Sequence, residues 1–237
     1  MIKLTVTQVQ HYSESMFRIR TNRPATFRFA AGEFVMLALD PEGVQRAYSI
    51  TSGPGDDYLE FLSIKVPDGP LTGKLAHIVP GEEIYISEKS TGTLTLANLE
   101  LSGNLWLLAT GTGVAPFISI LNDPDTYTVF DQVTLAWSVR TVDDLNSYAD
   151  MLHSLPIDFI PIVTQDDSWT GLSKRITSQI GTGHLLPDLN PSKNKVMICG
   201  SLEFNQQVKT ILTAWGWSEG TKRTAGTFVQ ERAFVER

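Results

Sequence analysis

Between Asn98 and Leu101 the hydrophobic period of this chain changes, and few architectures accommodate such a change. Before it, apolar and polar residues alternate in short runs broken by turn residues, as in Phe27-Arg28-Phe29, Phe34–Leu39, Ala47–Ile50 and Tyr58–Ile64. Period two puts successive side chains on opposite faces of a strand, and many short strands so spaced predict a barrel. One helical stretch interrupts them, with Leu71, Leu75 and Ile78 on one face between Gly69-Pro70 and Pro80. After the change, runs that are apolar along their whole length alternate with helical patterns. Leu105–Ala109 is followed by a helix over Ala115–Leu121, and Val133–Val139 by a helix opening at Asp143-Asp144 with Val142, Leu145, Ala149 and Leu152 on its inner stripe. Ile157–Val163 precedes a helix near Ser173–Ile180, and Lys195–Cys199 one over Glu203–Trp215. Strands of this kind, joined by helices, predict a parallel sheet covered on both faces. The expected fold class is therefore β followed by α/β, with residues 1–98 as a barrel domain and residues 99–237 as a doubly wound α/β domain.

Composition removes several classes of function. The 237 residues are 42% hydrophobic and 19% charged, as in a folded globular protein. Lys+Arg 19 against Asp+Glu 26 gives a net charge of -7 without a basic stripe, which argues against nucleic-acid binding. Cys199 stands alone, so neither an internal disulfide nor a C-x-x-C metal or cluster site is available; a reducing, cytoplasmic location is expected. The first residues alternate like a strand and lack the apolar core of a signal peptide. The most apolar stretch, Leu105 to Leu121, is cut by Thr110-Gly111-Thr112-Gly113 and by Pro116, so no membrane span is expected. His11, His77, His153 and His184 lack metal-ligand spacing, and no Ser-His-Asp arrangement is evident; no metal is expected.

Three motifs carry candidate chemistry. Gly111-Thr112-Gly113-Val114-Ala115-Pro116 follows the first α/β strand and opens a helix, where backbone N–H groups favour electron-rich ligand groups. Pro116 stands where the dinucleotide fingerprint has its third glycine, so a plain Gly-rich turn reads equally well. Val66-Pro67-Asp68-Gly69-Pro70-Leu71-Thr72 ends a strand and starts a short helix; it reads either as a diphosphate cradle or as a helix start capped by threonine. In Arg46-Ala47-Tyr48-Ser49-Ile50-Thr51 the side chains of Arg46, Tyr48 and Ile50 share one strand face and those of Ala47, Ser49 and Thr51 the other. A guanidinium beside a flat ring suits a phosphate-bearing aromatic ligand, and also an ordinary Arg–Tyr contact on a surface strand.

Together with Cys199-Gly200-Ser201 and the tail Glu231-Arg232-Ala233-Phe234-Val235-Glu236, these motifs resemble, in order and over nearly the whole chain, the bacterial ferredoxin (flavodoxin)–NADP reductases. The resemblance implies an antiparallel Greek-key barrel holding FAD, followed by a Rossmann-like parallel-sheet domain holding NADP(H). It implies that Arg46 contacts the flavin phosphates, with Ala47 beside it, that Tyr48 stacks on the isoalloxazine, and that Ser49 lies near its reactive nitrogen. Pro70, Leu71 and Thr72 would line the diphosphate, Leu62 would lie near the flavin nucleotide, and Thr112 would sit at the flavin–nicotinamide junction. Cys199 would approach the nicotinamide, with Gly200 and Ser201 beside the nucleotide, while Ala233 and Phe234 would cover the flavin and its adenine side. Ser49 and Cys199 are the implied catalytic pair.

Val139, Arg140, Thr164, Gln165 and Arg175 match positions that bind NADP in the family. The family places an arginine after Val163-Thr164, whereas Gln165-Asp166-Asp167 follows here. Losing a guanidinium and gaining two acids weakens a phosphate contact by about 1–3 kcal/mol, which opens the preference between NADPH and NADH. Leu62 stands where relatives often carry an aromatic residue. The implied reaction is hydride transfer between NADPH and FAD coupled to one-electron exchange with ferredoxin or flavodoxin, in a monomer. Arg18, Arg20, Arg23 and Arg28 lie in the barrel half, where they would steer an acidic partner or simply blunt a sheet edge. An alternative is a reductase of free flavin, quinone or another small acceptor.

Overall fold

The computed structural model describes residues 1–66, 68–182 and 184–231. The chain packs as two compact units, Met1–Gly92 with Ala115–Asp123, and Thr93–Val114 with the residues from Pro124 onward. The change of period near Asn98 thus falls a few residues inside the second unit, and the helix after the Gly111 turn counts with the first.

The first unit contains β1 (Ile2–His11), β2 (Met16–Asn22), β3 (Phe34–Ala38), β4 (Arg46–Ser49), β5 (Tyr58–Ile64), α1 (Thr72–Leu75), β6 (Glu83–Ile86) and α2 (Ala115–Leu121). Its strands form one antiparallel sheet in the order β4-β3-β6-β1-β2-β5. The two end strands meet: Ile50 bridges Phe61, and the Thr51 N–H donates to the Glu60 carbonyl at 2.8 Å. The sheet therefore closes almost fully, which satisfies edge groups that an open sheet would leave bare. Alternation fills the inside, with Leu4, Val6, Phe17, Ile19, Val35, Leu37, Ile50, Leu59, Phe61, Ile84 and Ile86 buried, and Leu75 of α1 plugging one end of the cluster. Each such side chain contributes about 1.5–3 kcal/mol by leaving water.

Phe27-Arg28-Phe29, expected as a strand, is a loop. The Arg23 guanidinium takes the Phe27 carbonyl from Nε and Nη2 and lies 4.8 Å from the Phe29 ring, so a side chain occupies an acceptor that a strand partner would need.

The second unit contains β7 (Asn104–Thr110), α3 (Thr126–Val129), β8 (Gln132–Val139), α4 (Val142–Asn146), α5 (Ala149–Ser154), β9 (Asp158–Val163), β10 (Asn194–Cys199), α6 (Leu202–Ala214) and β11 (Phe228–Gln230), with single 3-10 turns at Leu96–Asn98, Gly111–Val114 and Ile176–Ser178. The five strands are all parallel, in the order β11-β10-β7-β8-β9. β7 has β8 on one side and β10 on the other, so the winding reverses at β7. Ligands of open α/β sheets bind at such a switch point, beyond the carboxyl ends of the strands.

Two helix expectations need correction. The stretch Ser173–Ile180 is only the one-turn 3-10 element: Arg175 is extended, and the Ser178 hydroxyl and Gln179 amide donate to the Arg175 and Lys174 carbonyls, drawing off backbone acceptors. The helix expected from Asp143 splits into α4 and α5, because the Ser147 hydroxyl takes the Asp144 carbonyl and Tyr148 turns out of helical geometry at φ -137. Among the described residues no helix is long and apolar enough to cross a membrane.

Candidate functional site

In the barrel unit the expected flavin residues gather on β4, β5 and the turn before α1. β4 pairs with β3 so that Tyr48 faces Val35 and Ser49 faces Phe34. Arg46 is exposed and forms no ion pair among the described residues; its Nη1 reaches only the neighbouring Gln45 carbonyl. Ala47 is half-buried, while Tyr48, Ser49, Ile50 and Thr51 are all buried, so both faces of this strand are covered. The Tyr48 hydroxyl shares a 3.0 Å hydrogen bond with Ser63 on β5, and its ring stands edge-on to Phe61. Burial raises the phenol pKa. The Ser49 hydroxyl has no hydrogen-bond partner among the described residues and remains available.

Leu62 is buried on β5, opposite Arg18. At the turn, Asp68 has φ 61, and a Cβ on Gly69 would collide with the Thr72 hydroxyl, so the tight entry to α1 requires glycine. Pro70 is exposed, Leu71 buried and Thr72 half-buried at this entry. The Ser119 hydroxyl of α2 donates to the Ser52 carbonyl at 2.7 Å, fixing the turn that follows β4.

In the α/β unit the loops after β7 and β10 touch backbone to backbone. Gly111 has φ 53 with open space where a Cβ would stand, and its carbonyl accepts the Trp137 indole N–H at 2.8 Å. A Cβ on Gly113 would collide with the Cys199 carbonyl, and one on Gly200 with the Thr110 hydroxyl. Thr112 lies between Gly111 and Gly113 in the chain and is half-buried. Cys199 is fully buried, and burial, with the Glu231 carboxylate adding to it, holds its thiol well above the ordinary range. Ser201 is already engaged: its hydroxyl caps α6 by accepting the Phe204 N–H. The Glu231 N–H donates to Ile198, and Asn205 Nδ2 to the Glu231 carbonyl.

Val139 is buried at the end of β8, opposite Val163, and Arg140 follows it, exposed. The Thr164 N–H donates to the Val139 carbonyl and the Gln165 N–H to the Arg140 carbonyl, which brings these four positions together. Arg175 is exposed at the start of its 3-10 turn. Neither Arg140 nor Arg175 has an ion-pair partner among the described residues. Ala233 and Phe234 lie outside the described residues. Sequence reasoning missed Ser63, Trp137 and the carboxylate of Asp166, whose partners are remote in the chain.

Arg18, Arg20, Arg23 and Arg28 are engaged within the barrel unit. Arg18 and Arg20 flank the buried Glu60 at 3.4 and 2.8 Å and lie over the Tyr12 and Tyr58 rings. Arg23 holds the carbonyls of Pro54, Asp56 and Phe27, and Arg28 those of Ala25 and Phe27.

A closed barrel unit joined to a parallel sheet with glycine contacts at its switch point defines a nicotinamide-dependent oxidoreductase, and residues 107–210 match the family described as the oxidoreductase NAD-binding domain. The chain is 41% identical to the flavodoxin/ferredoxin–NADP reductase of Rhodobacter capsulatus, over 98% of this chain and 92% of that one, and 38% identical to the ferredoxin–NADP reductase of Pseudomonas aeruginosa, over 98% and 97%. A ferredoxin NADP+ reductase from Neisseria gonorrhoeae, solved with bound FAD and NADP, superposes with a TM-score of 0.90 at 30% identity, covering 98% of each chain. The chain belongs to the family of ferredoxin (flavodoxin)–NADP reductases.

Proposed function

We propose that this chain, an FAD-dependent ferredoxin (flavodoxin)–NADP reductase, acts as a cytoplasmic monomer with ferredoxin or flavodoxin as its one-electron partner. Its cofactors are FAD and NADP(H). When bound, FAD exchanges two electrons together with the nicotinamide and single electrons with a carrier, which no amino-acid side chain of this chain can do.

The chain's own residues bind and orient. Arg46, an exposed guanidinium without an ion-pair partner among the described residues, holds flavin phosphates, and the N–H groups at Leu71 and Thr72, next to Pro70, serve the same group. Tyr48, anchored through its hydroxyl to Ser63, offers a fixed aromatic surface, with Ala47 and Leu62 filling in beside it. Ser49 keeps a hydroxyl free to donate to a ring nitrogen. On the α/β unit, Thr112, Gly200 and Ser201 line the nicotinamide half, and the protonated Cys199 thiol packs there without charge. Arg140 and Arg175 take the nucleotide's phosphate, with Val139, Thr164 and Gln165 shaping that end. The observation that carries this reading is the backbone contact of Gly113 with Cys199 at the switch point, where no side chain could intervene.

The test is direct. Purified protein should carry FAD, and NADPH should drive steady reduction of a dye and of ferredoxin; a correctly folded, colourless preparation that takes up no FAD would refute the reading. A second reading, a reductase of free flavin, quinone or another small acceptor, draws support from the internal engagement of Arg18, Arg20, Arg23 and Arg28, which leaves them less able to steer an acidic protein. Ferredoxin turnover that falls as salt rises favours the first; rates indifferent to salt favour the second.

A further inference from the structure

Two acids, Asp166 and Asp167, follow Gln165 beside Arg140, and a carboxylate is a poor neighbour for a bound phosphate unless its charge is occupied elsewhere. Asp166 is occupied. Its Oδ2 accepts the Val142 N–H at 3.1 Å, and its Oδ1 accepts both the N–H and the hydroxyl of Ser168, at 3.0 and 2.6 Å. Val142 opens α4, and within the same first turn the Thr141 hydroxyl accepts the Asp144 N–H. These hydrogen bonds hold the Asp166 carboxyl below its usual range, so it remains charged and acceptor-only at neutral pH.

The same carboxylate closes a clasp between two loops. Beyond the end of the β8–β9 ladder, Thr164 donates to Val139 from both its N–H and its hydroxyl, and Gln165 donates its N–H to Arg140. Asp166 then reaches back across Arg140 and Thr141 to Val142. Beyond it, the Trp169 N–H donates to the Asp166 carbonyl, and the Val163 N–H takes the Leu172 carbonyl, so the loop returns to the sheet. The backbone on both sides of Arg140 is thereby tied down, while its guanidinium is exposed and without an ion-pair partner among the described residues.

We propose that Asp166 is a positioning residue for nucleotide specificity: by clasping the first turn of α4 to the loop after β9, it holds Arg140 in the direction from which the guanidinium meets the 2′-phosphate of NADP(H). This rests on the reading of Arg140 as a phosphate-binding residue. The carboxylate near the anion site is then a support for the cation rather than a repulsive defect, because its charge is satisfied by N–H and O–H donors of its own loop.

Calorimetry of the FAD-loaded protein with 2′-phospho-AMP and with AMP, together with steady-state kinetics with NADPH and NADH, tests it. Asp166→Ala should weaken 2′-phospho-AMP about fivefold, the value of one lost hydrogen-bonding tie, with AMP binding unmoved. The KM for NADPH should rise by a similar factor at unchanged kcat, with the KM for NADH constant. Asp166→Asn, which keeps one acceptor, should fall between, and it carries the test if the alanine variant does not fold. Equal 2′-phospho-AMP affinity in variant and parent, or parallel losses with NADPH and NADH, would overturn the proposal. A parent protein that binds AMP and 2′-phospho-AMP alike would overturn the assignment of Arg140 itself, and this proposal with it.

Discussion

The indole N–H of Trp137, fully buried on β8, donates to the carbonyl of Gly111 in the turn after β7, at 2.8 Å. Gly111 is in the left-handed region, and its carbonyl has turned inward to meet this donor. A single side chain of the core thus fixes the orientation of the turn that opens the switch point. Trp137→Phe keeps an aromatic ring and removes the donor, leaving a carbonyl unsatisfied. The expected cost is about 1–2 kcal/mol, or roughly 2–8 °C in melting temperature. The KM for NADPH should rise severalfold with FAD content unchanged; a variant that melts and binds like the parent would show the bond to be idle.

Gly111 and Gly113 are two residues apart and should respond differently to alanine. At Gly113 a Cβ meets the Cys199 backbone, so β10 or the turn must shift, and Gly113→Ala should cost about 2–4 kcal/mol and abolish most NADPH turnover. At Gly111 the space is open, and only the left-handed backbone is penalised, at about 1–2 kcal/mol. Thermal melts of the two variants, side by side, separate crowding from conformation; a reversed order would contradict the described contact.

What could be seen in the sequence followed from local pattern. Period two marked the strands of the barrel unit, and unbroken apolar runs marked β7, β8, β9 and β10, because burial on one or two faces leaves its imprint within a few residues. α2 and α6 matched to within a residue. Phe27–Phe29, Ser173–Ile180 and the break at Ser147 escaped notice for one shared reason: a side chain hydrogen-bonds a backbone carbonyl, and propensity does not register it. Among the candidate site residues, Gly111, Gly113 and Cys199 stood out because a Gly-rich strand-to-helix turn and the carboxyl end of a parallel strand are where α/β sheets bind ligands. Trp137, Ser63 and Asp166 did not, since Trp137 looks like any core aromatic and its partner lies 26 residues away. The acids after Gln165 read as repulsive charge in the sequence; in the folded loop Asp166 accepts from three donors.

The raised pKa of Cys199 has a definite sign in stability. Burial, aided by the Glu231 carboxylate, favours the thiol over the thiolate in the folded state, so the proton is held more tightly there than in the unfolded chain. This contribution is complete below the unfolded thiol value of about 8.5 and is lost as pH rises past it toward the higher folded value. Tyr12, Tyr48, Tyr58 and Tyr127, also raised by burial, act in the same direction but start from a higher pKa. The difference in denaturant stability between the parent and Cys199→Ser should therefore shrink steadily from pH 8 to 10. Iodoacetamide should label the folded parent far more slowly than the unfolded chain at pH 8. Rapid labelling in the folded state would mean that the thiol is neither buried nor protonated.

Gln165 offers a test of nucleotide preference. Its N–H donates to the Arg140 carbonyl, so its side chain starts beside the cation assigned to the 2′-phosphate, while Asp167 in the same loop is exposed. Gln165→Arg adds a second guanidinium where the backbone is already clasped, and a charge-assisted contact contributes about 1.5–3 kcal/mol. The KM for NADPH should fall roughly tenfold or more, with NADH unaffected, because AMP lacks the group the new cation would meet. Arg175→Ala is the complementary change: it should raise the KM for NADPH more than that for NADH. If both variants moved the two nucleotides equally, neither Gln165 nor Arg175 would read the phosphate, and discrimination would fall to Arg140 alone among the three positions.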